Sequence, residues 1–138
     1  MNEQVLREVH RAIDRHSDTL FQAAVWFVEQ HSLPTPSQTN GLLNIVQCHD
    51  NIKGLTDFLQ HQAGKSTTRD STFWSDLRRE MEGLRKQAEE MQLQLDLNPE
   101  NKKAQREHRD EISLLLARDY VQHLVAHVLY RSTLPRGE

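Results

Sequence analysis

Two histidines stand one helical turn apart in His123-Leu124-Val125-Ala126-His127, a spacing at which one helix face can offer both imidazoles to a metal ion. The zinc-hydrolase form of this motif also needs a glutamate directly after the first histidine, and Leu124 stands there. On a helical wheel both histidines lie opposite Leu124, Val125 and Val128, so the simpler reading is a pair of solvent-facing polar residues with no metal between them. Arg118 precedes His123 in Arg118-Asp119-Tyr120-Val121-Gln122-His123. An arginine and a histidine so placed carry what metal-independent RNA cleavage needs, a general acid or base and a cation for the phosphorane. Cys48-His49 sets a thiol beside an imidazole, but adjacent side chains on a helix diverge, which separates a nucleophile from its base. Cys48 belongs to an apolar run and reads as a core residue. The glycines are isolated, so no phosphate-cradling loop is present in the sequence.

Charge offers a second kind of chemistry. Lys53, Lys65, Arg69, Arg78, Arg79, Arg85 and Lys86 concentrate in the middle of the chain, whereas the acidic residues are spread along it. Such a concentration is either an ordinary solvated surface or a face that tracks a phosphate backbone without reading bases.

Helices must position these groups. Val5, Val9, Ile13, Leu20, Ala24 and Phe27 recur at helical spacing, with Ser17-Asp18-Thr19 as a possible restart by capping. Leu33-Pro34-Thr35-Pro36 ends that segment, and Ser37 is the expected cap of the next. Leu42, Leu43, Ile45, Val46, Ile52, Leu55, Phe58 and Leu59 continue the pattern, with a bend or division near Asp50-Asn51 and Gly54. Gly64 is placed to close the helix, and residues 65–72 read as a polar loop. Phe73, Leu77, Met81, Leu84, Ala88, Met91 and Leu95 alternate by fours and threes as a coiled-coil seam. Asn98-Pro99 ends it, and a long helix from about residue 99 to 131 returns antiparallel. Its first third is nearly all polar, which predicts a thin, solvent-washed hairpin tip. The expected fold is all-α: a single domain over 1–138, a small helical bundle with a long antiparallel helical hairpin projecting over about 73–131.

Bulk properties agree with that class. The chain has 138 residues, of which 27% are charged and 36% hydrophobic, enough for a modest core under a heavily solvated surface. One cysteine rules out an internal disulfide and fits a reducing compartment. No apolar stretch approaches the roughly 20 residues that span a bilayer, and Met1-Asn2-Glu3-Gln4 does not open a secretory signal. A cytoplasmic protein with no membrane partner is expected. The formal net charge of −3 argues against a strongly basic nucleic-acid binder, though not against a local basic face.

Three stretches carry a family resemblance. Thr39-Asn40-Gly41-Leu42-Leu43-Asn44-Ile45-Val46 opens the second helical segment and Leu59-Gln60-His61-Gln62-Ala63-Gly64-Lys65 closes it. Asp119-Tyr120-Val121-Gln122-His123-Leu124-Val125-Ala126-His127-Val128-Leu129-Tyr130 lies near the C-terminus. In order and spacing they resemble the small α-helical subunit of type III CRISPR–Cas effector complexes, over residues 37–70 and 112–131. That family has a Tyr-Gln-Ala-Gly-Arg-like turn and a final aromatic-x-x-x-Leu-Val-Ala-aromatic helix. Here His61 stands in place of an aromatic, Lys65 in place of Arg and His127 in place of the last aromatic. The Arg78–Glu111 hairpin is longer than the family needs, which leaves the subtype open.

The resemblance implies a non-catalytic RNA-binding subunit of an antiviral ribonucleoprotein, without a cofactor or metal. Copies would self-associate head to tail beside other CRISPR effector subunits and hold the backbone of guide RNA and target RNA, while another subunit cuts. By position it carries the contact role to Lys53 and Lys65, with Arg69 following in the same loop. Arg78, Arg79 and Arg118 join them on charge and position alone. Two alternatives stand beside this one: Arg118 and His123 match the Arg-x4-His spacing of HEPN-type RNases, and the Phe73–Leu95 seam could serve a protein-only coiled-coil adaptor.

Overall fold

A computed structural model describes residues 2–48, 51–65, 68–95, 97 and 100–134, and for residues 68–71 it describes the backbone alone. Among these residues there are five helices and no strand: α1 (Glu3–Glu29), α2 (Pro36–Cys48), α3 (Ile52–Lys65), α4 (Thr68–Gln94) and α5 (Lys102–Ser132). The chain is an all-α helical bundle, as the periodicity predicts.

The ends of the helices follow from local chemistry. Asn2 Oδ1 accepts the Val5 N–H at 2.8 Å and caps α1. The restart expected at Ser17-Asp18-Thr19 does not occur, because α1 is continuous and the Ser17 hydroxyl turns outward to Asp119 instead of capping. At α2 the cap is Thr35 rather than Ser37. The Gln38 N–H donates to Thr35 Oγ1 at 3.2 Å and the Thr35 N–H donates to Gln38 Oε1 at 2.9 Å, a reciprocal capping box. Pro36 then occupies the first turn, where its missing N–H costs nothing. The expected division falls between α2 and α3, and Asn51 Oδ1 caps α3 through the Gly54 N–H at 3.0 Å.

Three boundaries differ from expectation. Gly64 lies within α3 instead of closing it, and the loop expected over 65–72 is helical from Thr68 onward. The polar residues 68–72 include no glycine or proline to oppose a helix, and Phe73 and Trp74 bury the turn that follows. Asn101 caps α5 through the Lys103 N–H at 2.8 Å, so that helix starts after the predicted position. The predicted first-turn role of Pro99 lies outside the described residues.

α4 and α5 run antiparallel, fixed by Arg85–Asp110 at 3.2 Å, Arg109–Glu89 at 3.4 Å and Gln92 Nε2 donating to the Gln105 carbonyl at 2.9 Å. The seam residues Phe73, Leu77, Met81, Leu84, Ala88 and Met91 are all buried within the chain's own core. The hairpin does not project alone, because α1 lies along it, parallel to α5 and antiparallel to α4. Its His16 meets Gln87 of α4 at 3.0 Å, and its His31 meets Asp76 of α4 at 2.8 Å. On the other flank, Ser17 and Glu29 of α1 meet Asp119 and His127 of α5. Val9 and Ile13 of α1 are buried in the shared core, whereas none of residues 100–111 is buried, so the polar first third of α5 is solvent-washed as predicted, and Leu93 on α4 is left 73% exposed. α2 and α3 complete the bundle at the opposite end, α2 against α5 and α3 against α4. Trp74 is fully buried there, edge-on to both Phe58 and Phe73.

His31 ties these layers together. Its ring stacks on Phe27 with centroids 4.1 Å apart, Nδ1 faces the Phe27 carbonyl at 2.7 Å and Nε2 faces the Asp76 carboxylate. Carbonyl and carboxylate only accept, so both bonds are made together when both ring nitrogens carry hydrogen.

Candidate nucleic-acid interface

The cations singled out by the sequence separate into spent and unspent groups. Lys53 and Lys65 are both exposed, near the start and at the end of α3. Twelve residues of helix put them about 18 Å apart along the axis and roughly 120° apart around it, so they do not share a face. Lys65 sits in the last turn of α3, where a cation complements the helix dipole. Arg78 and Arg79 are exposed on α4 and line a cleft of about 360 Å³ between α3 and α4, with Gln60, Ala63, Ser75 and Glu82. Arg79 reaches back to Asp76 at 3.2 Å, a solvent-exposed pair of small energetic weight. Arg78, Gln60 and Ser75 make no side-chain hydrogen bond or ion pair with any described residue. Arg69 begins α4, and its side chain lies outside the described residues.

Arg118 is placed differently. It is half-buried on α5, and its Nε donates to the Val46 carbonyl at 3.0 Å. Val46 lies in the last turn of α2, whose carbonyls have no partner within the helix. The neighbouring cleft of about 490 Å³ presents Glu107, Asp110 and Glu111 beside Arg118, a lining that repels phosphate. Arg118 therefore anchors α2 to α5, and the phosphate-binding role assigned to it by position has no support in this setting.

The Arg118–His123 pair does not converge. Arg118 bonds to α2, whereas His123 Nε2 faces Ser17 Oγ of α1 at 3.0 Å and Asp119 Oδ2 at 3.3 Å. Five residues of α-helix turn the second side chain about 140° from the first. Ser17, His123 and Asp119 do not form a nucleophilic triad either, because serine and carboxylate meet the same ring nitrogen and the second nitrogen has no orienting carboxylate.

The histidines are not the solvent-facing residues that the wheel predicts. His123 and His127 are both half-buried in the α1–α5 seam, and His127 Nε2 faces Glu29 Oε1 at 2.8 Å. Arg131 adds a second contact to Glu29 at 3.3 Å, and together they hold the Glu29 carboxyl below its ordinary range. No group of three or more metal-ligating side chains is gathered among the described residues. Cys48 is exposed rather than core, with Asn44 Oδ1 at 3.3 Å from its sulfur, and His49 lies outside the described residues.

Two titratable groups escaped the sequence reading, one buried and one on the exposed face of α4. Tyr120 is buried with its hydroxyl unpartnered among the described residues, and burial, aided by Glu80, pushes that phenol far above its ordinary value. Glu80 itself is raised by desolvation and by Asp76, against a smaller opposing pull from His31. Neither lines the α3–α4 cleft. No described helix is long and apolar enough to cross a membrane. Comparison of the chain with family models, curated proteins and solved structures finds no match in any of the three.

Proposed function

We propose that this chain is a non-catalytic subunit of an RNA-guided effector complex of the type III CRISPR kind, holding the guide and target RNA backbone through basic side chains. The observation that carries the reading is the α3–α4 cleft, where, among the described residues, the Arg78 guanidinium has no partner and Arg79 is held only by an exposed pair. Lys65 ends α3 two residues beyond the cleft residue Ala63, and Lys53 adds a separate contact at the far end of the helix. Contact of this sort is electrostatic and sequence-independent. Few phosphates per copy suffice when copies repeat along one duplex, which makes a mildly acidic net charge compatible with the role. The chain would assemble with other effector subunits and with further copies of itself in the cytoplasm, leaving cleavage to a different subunit.

Fluorescence anisotropy of the purified chain with unrelated RNA sequences tests the reading. The expected result is weak binding that is equal across sequences, falls with salt, and is reduced in Lys65→Ala with Arg78→Ala. Base-specific binding, or binding unmoved by salt, overturns it. A co-purifying guide RNA, recovered when the chain is isolated with its natural partners, would support it directly.

A further inference from the structure

The α3–α4 cleft holds more than cations. Gln60 on α3 and Ser75 on α4 line it together with Arg78, and neither side chain makes a hydrogen bond to a described residue. Ala63 of α3 adds a half-buried apolar surface to the same cleft. Glu82 lines the same cleft, so a second phosphate beside the first would meet a carboxylate. A hydroxyl meets no such penalty, because Glu82, Gln60 and Ser75 can all accept from it and the latter two can also donate. At about 360 Å³ the cleft falls within the roughly 300–1,000 Å³ of small-ligand sites, enough for one sugar and its phosphate.

We infer that this cleft takes one ribose–phosphate unit of an RNA strand, with Arg78 on the phosphate and Gln60 and Ser75 on the ribose 2′-hydroxyl. The inference rests on the RNA-holding reading above and adds to it a discrimination of RNA from DNA, for which the 2′-hydroxyl is the distinguishing group. It assigns Gln60 and Ser75 a role that charge cannot reveal, since both are neutral. Bases remain unread, because the three groups assigned to the strand are taken up by the sugar and the phosphate.

The test compares binding of a single-stranded RNA, the matching DNA and the 2′-O-methyl RNA to the full-length chain. Wild-type protein is expected to prefer RNA by roughly five-fold, the scale of one or two neutral hydrogen bonds. The 2′-O-methyl strand should bind like DNA. Gln60→Ala with Ser75→Ala should lower RNA binding to the DNA level and leave DNA binding where it was. Arg78→Ala should weaken both strands by the same factor. Alanine is compatible with both helical positions, and an unchanged circular dichroism melt secures the comparison. Equal binding of RNA and DNA by the wild type overturns the ribose contact while leaving backbone binding intact. So does a double variant that weakens both strands alike. Binding of neither strand removes the RNA-holding reading and this inference with it.

Discussion

Arg118 reaches from α5 to α2 and donates from Nε to the Val46 carbonyl at 3.0 Å, closing the end of one helix with the side chain of another. A cation at a helix C-terminus meets carbonyls that lack internal partners and the negative end of the dipole. Hydrogen bonds to charged groups are worth about 1.5–3 kcal/mol each. Arg118→Ala should therefore cost about 2 kcal/mol of stability in chemical denaturation and leave RNA binding per folded molecule unchanged. A variant of full stability with lost binding would return Arg118 to the interface.

Trp74 supports the end of the bundle where the cleft opens. It is buried between Phe58 on α3 and its neighbour Phe73, and the adjacent Ser75 is a cleft residue. Trp74→Ala should cost about 3–5 kcal/mol, the range for deleting a large aromatic from a core. Leu93→Ala, at an exposed position on the same helix, should change stability by less than about 0.5 kcal/mol. Urea midpoints of the two variants measure the contrast.

These two aromatic neighbours also mark what periodicity can and cannot show. A seam through Phe73, Leu77 and Met81 is legible because α4 buries one face on α1 and α5. Trp74 is missed because α3 covers a second face, and a single stripe of apolar residues cannot announce two partners. The same physics misplaces His123 and His127. They lie opposite the apolar stripe of α5, but α5 is central to the bundle and α1 covers that flank with Ser17 and Glu29. The polar first third of α5 is read correctly, because residues 100–111 place no side chain in the core. At the candidate site, charge identifies the cations but not which are spent. Arg78 and Arg118 look alike in the sequence, but Arg118 is engaged by the Val46 carbonyl of a neighbouring helix.

Glu29 gives the α1–α5 seam a sign with pH. Its carboxyl is held below the ordinary value of 4.5, first by the His127 hydrogen bond, so its contribution is present above that pH and is lost as pH falls through the lowered value. The melting temperature of the wild type should fall more steeply below about pH 4.5 than that of Glu29→Gln. Parallel acid slopes for the two proteins would show that the pair carries no linkage.

Glu80 has the opposite sign. Its folded-state value is raised by desolvation and by Asp76, so the folded protein loses stability as pH rises from 4.5 through the raised value. Glu80→Gln should melt above the wild type at pH 7, and the difference should vanish near pH 4, where both side chains are neutral. A variant equally stabilised at both pH values would point to packing instead of charge. The paired measurement also locates the effect away from RNA binding, which Glu80→Gln should leave unchanged.

Salt dependence distinguishes cations that meet phosphate from cations that serve the fold. Each phosphate neutralised on a single strand contributes about −0.7 to the slope of log affinity against log salt. Arg78→Ala should reduce that slope by about 0.7, and Lys65→Ala should do the same if the end of α3 meets the strand. Lys53 is about 18 Å from Lys65 along α3, so its effect should add to that of Lys65 without coupling. Arg118→Ala should leave the slope untouched, because its guanidinium is engaged with Val46 whether or not RNA is present. Titrations at several salt concentrations read all four slopes. If Arg118→Ala flattens the slope and Arg78→Ala does not, the RNA path runs past the acidic cleft on α5 and the α3–α4 assignment is wrong.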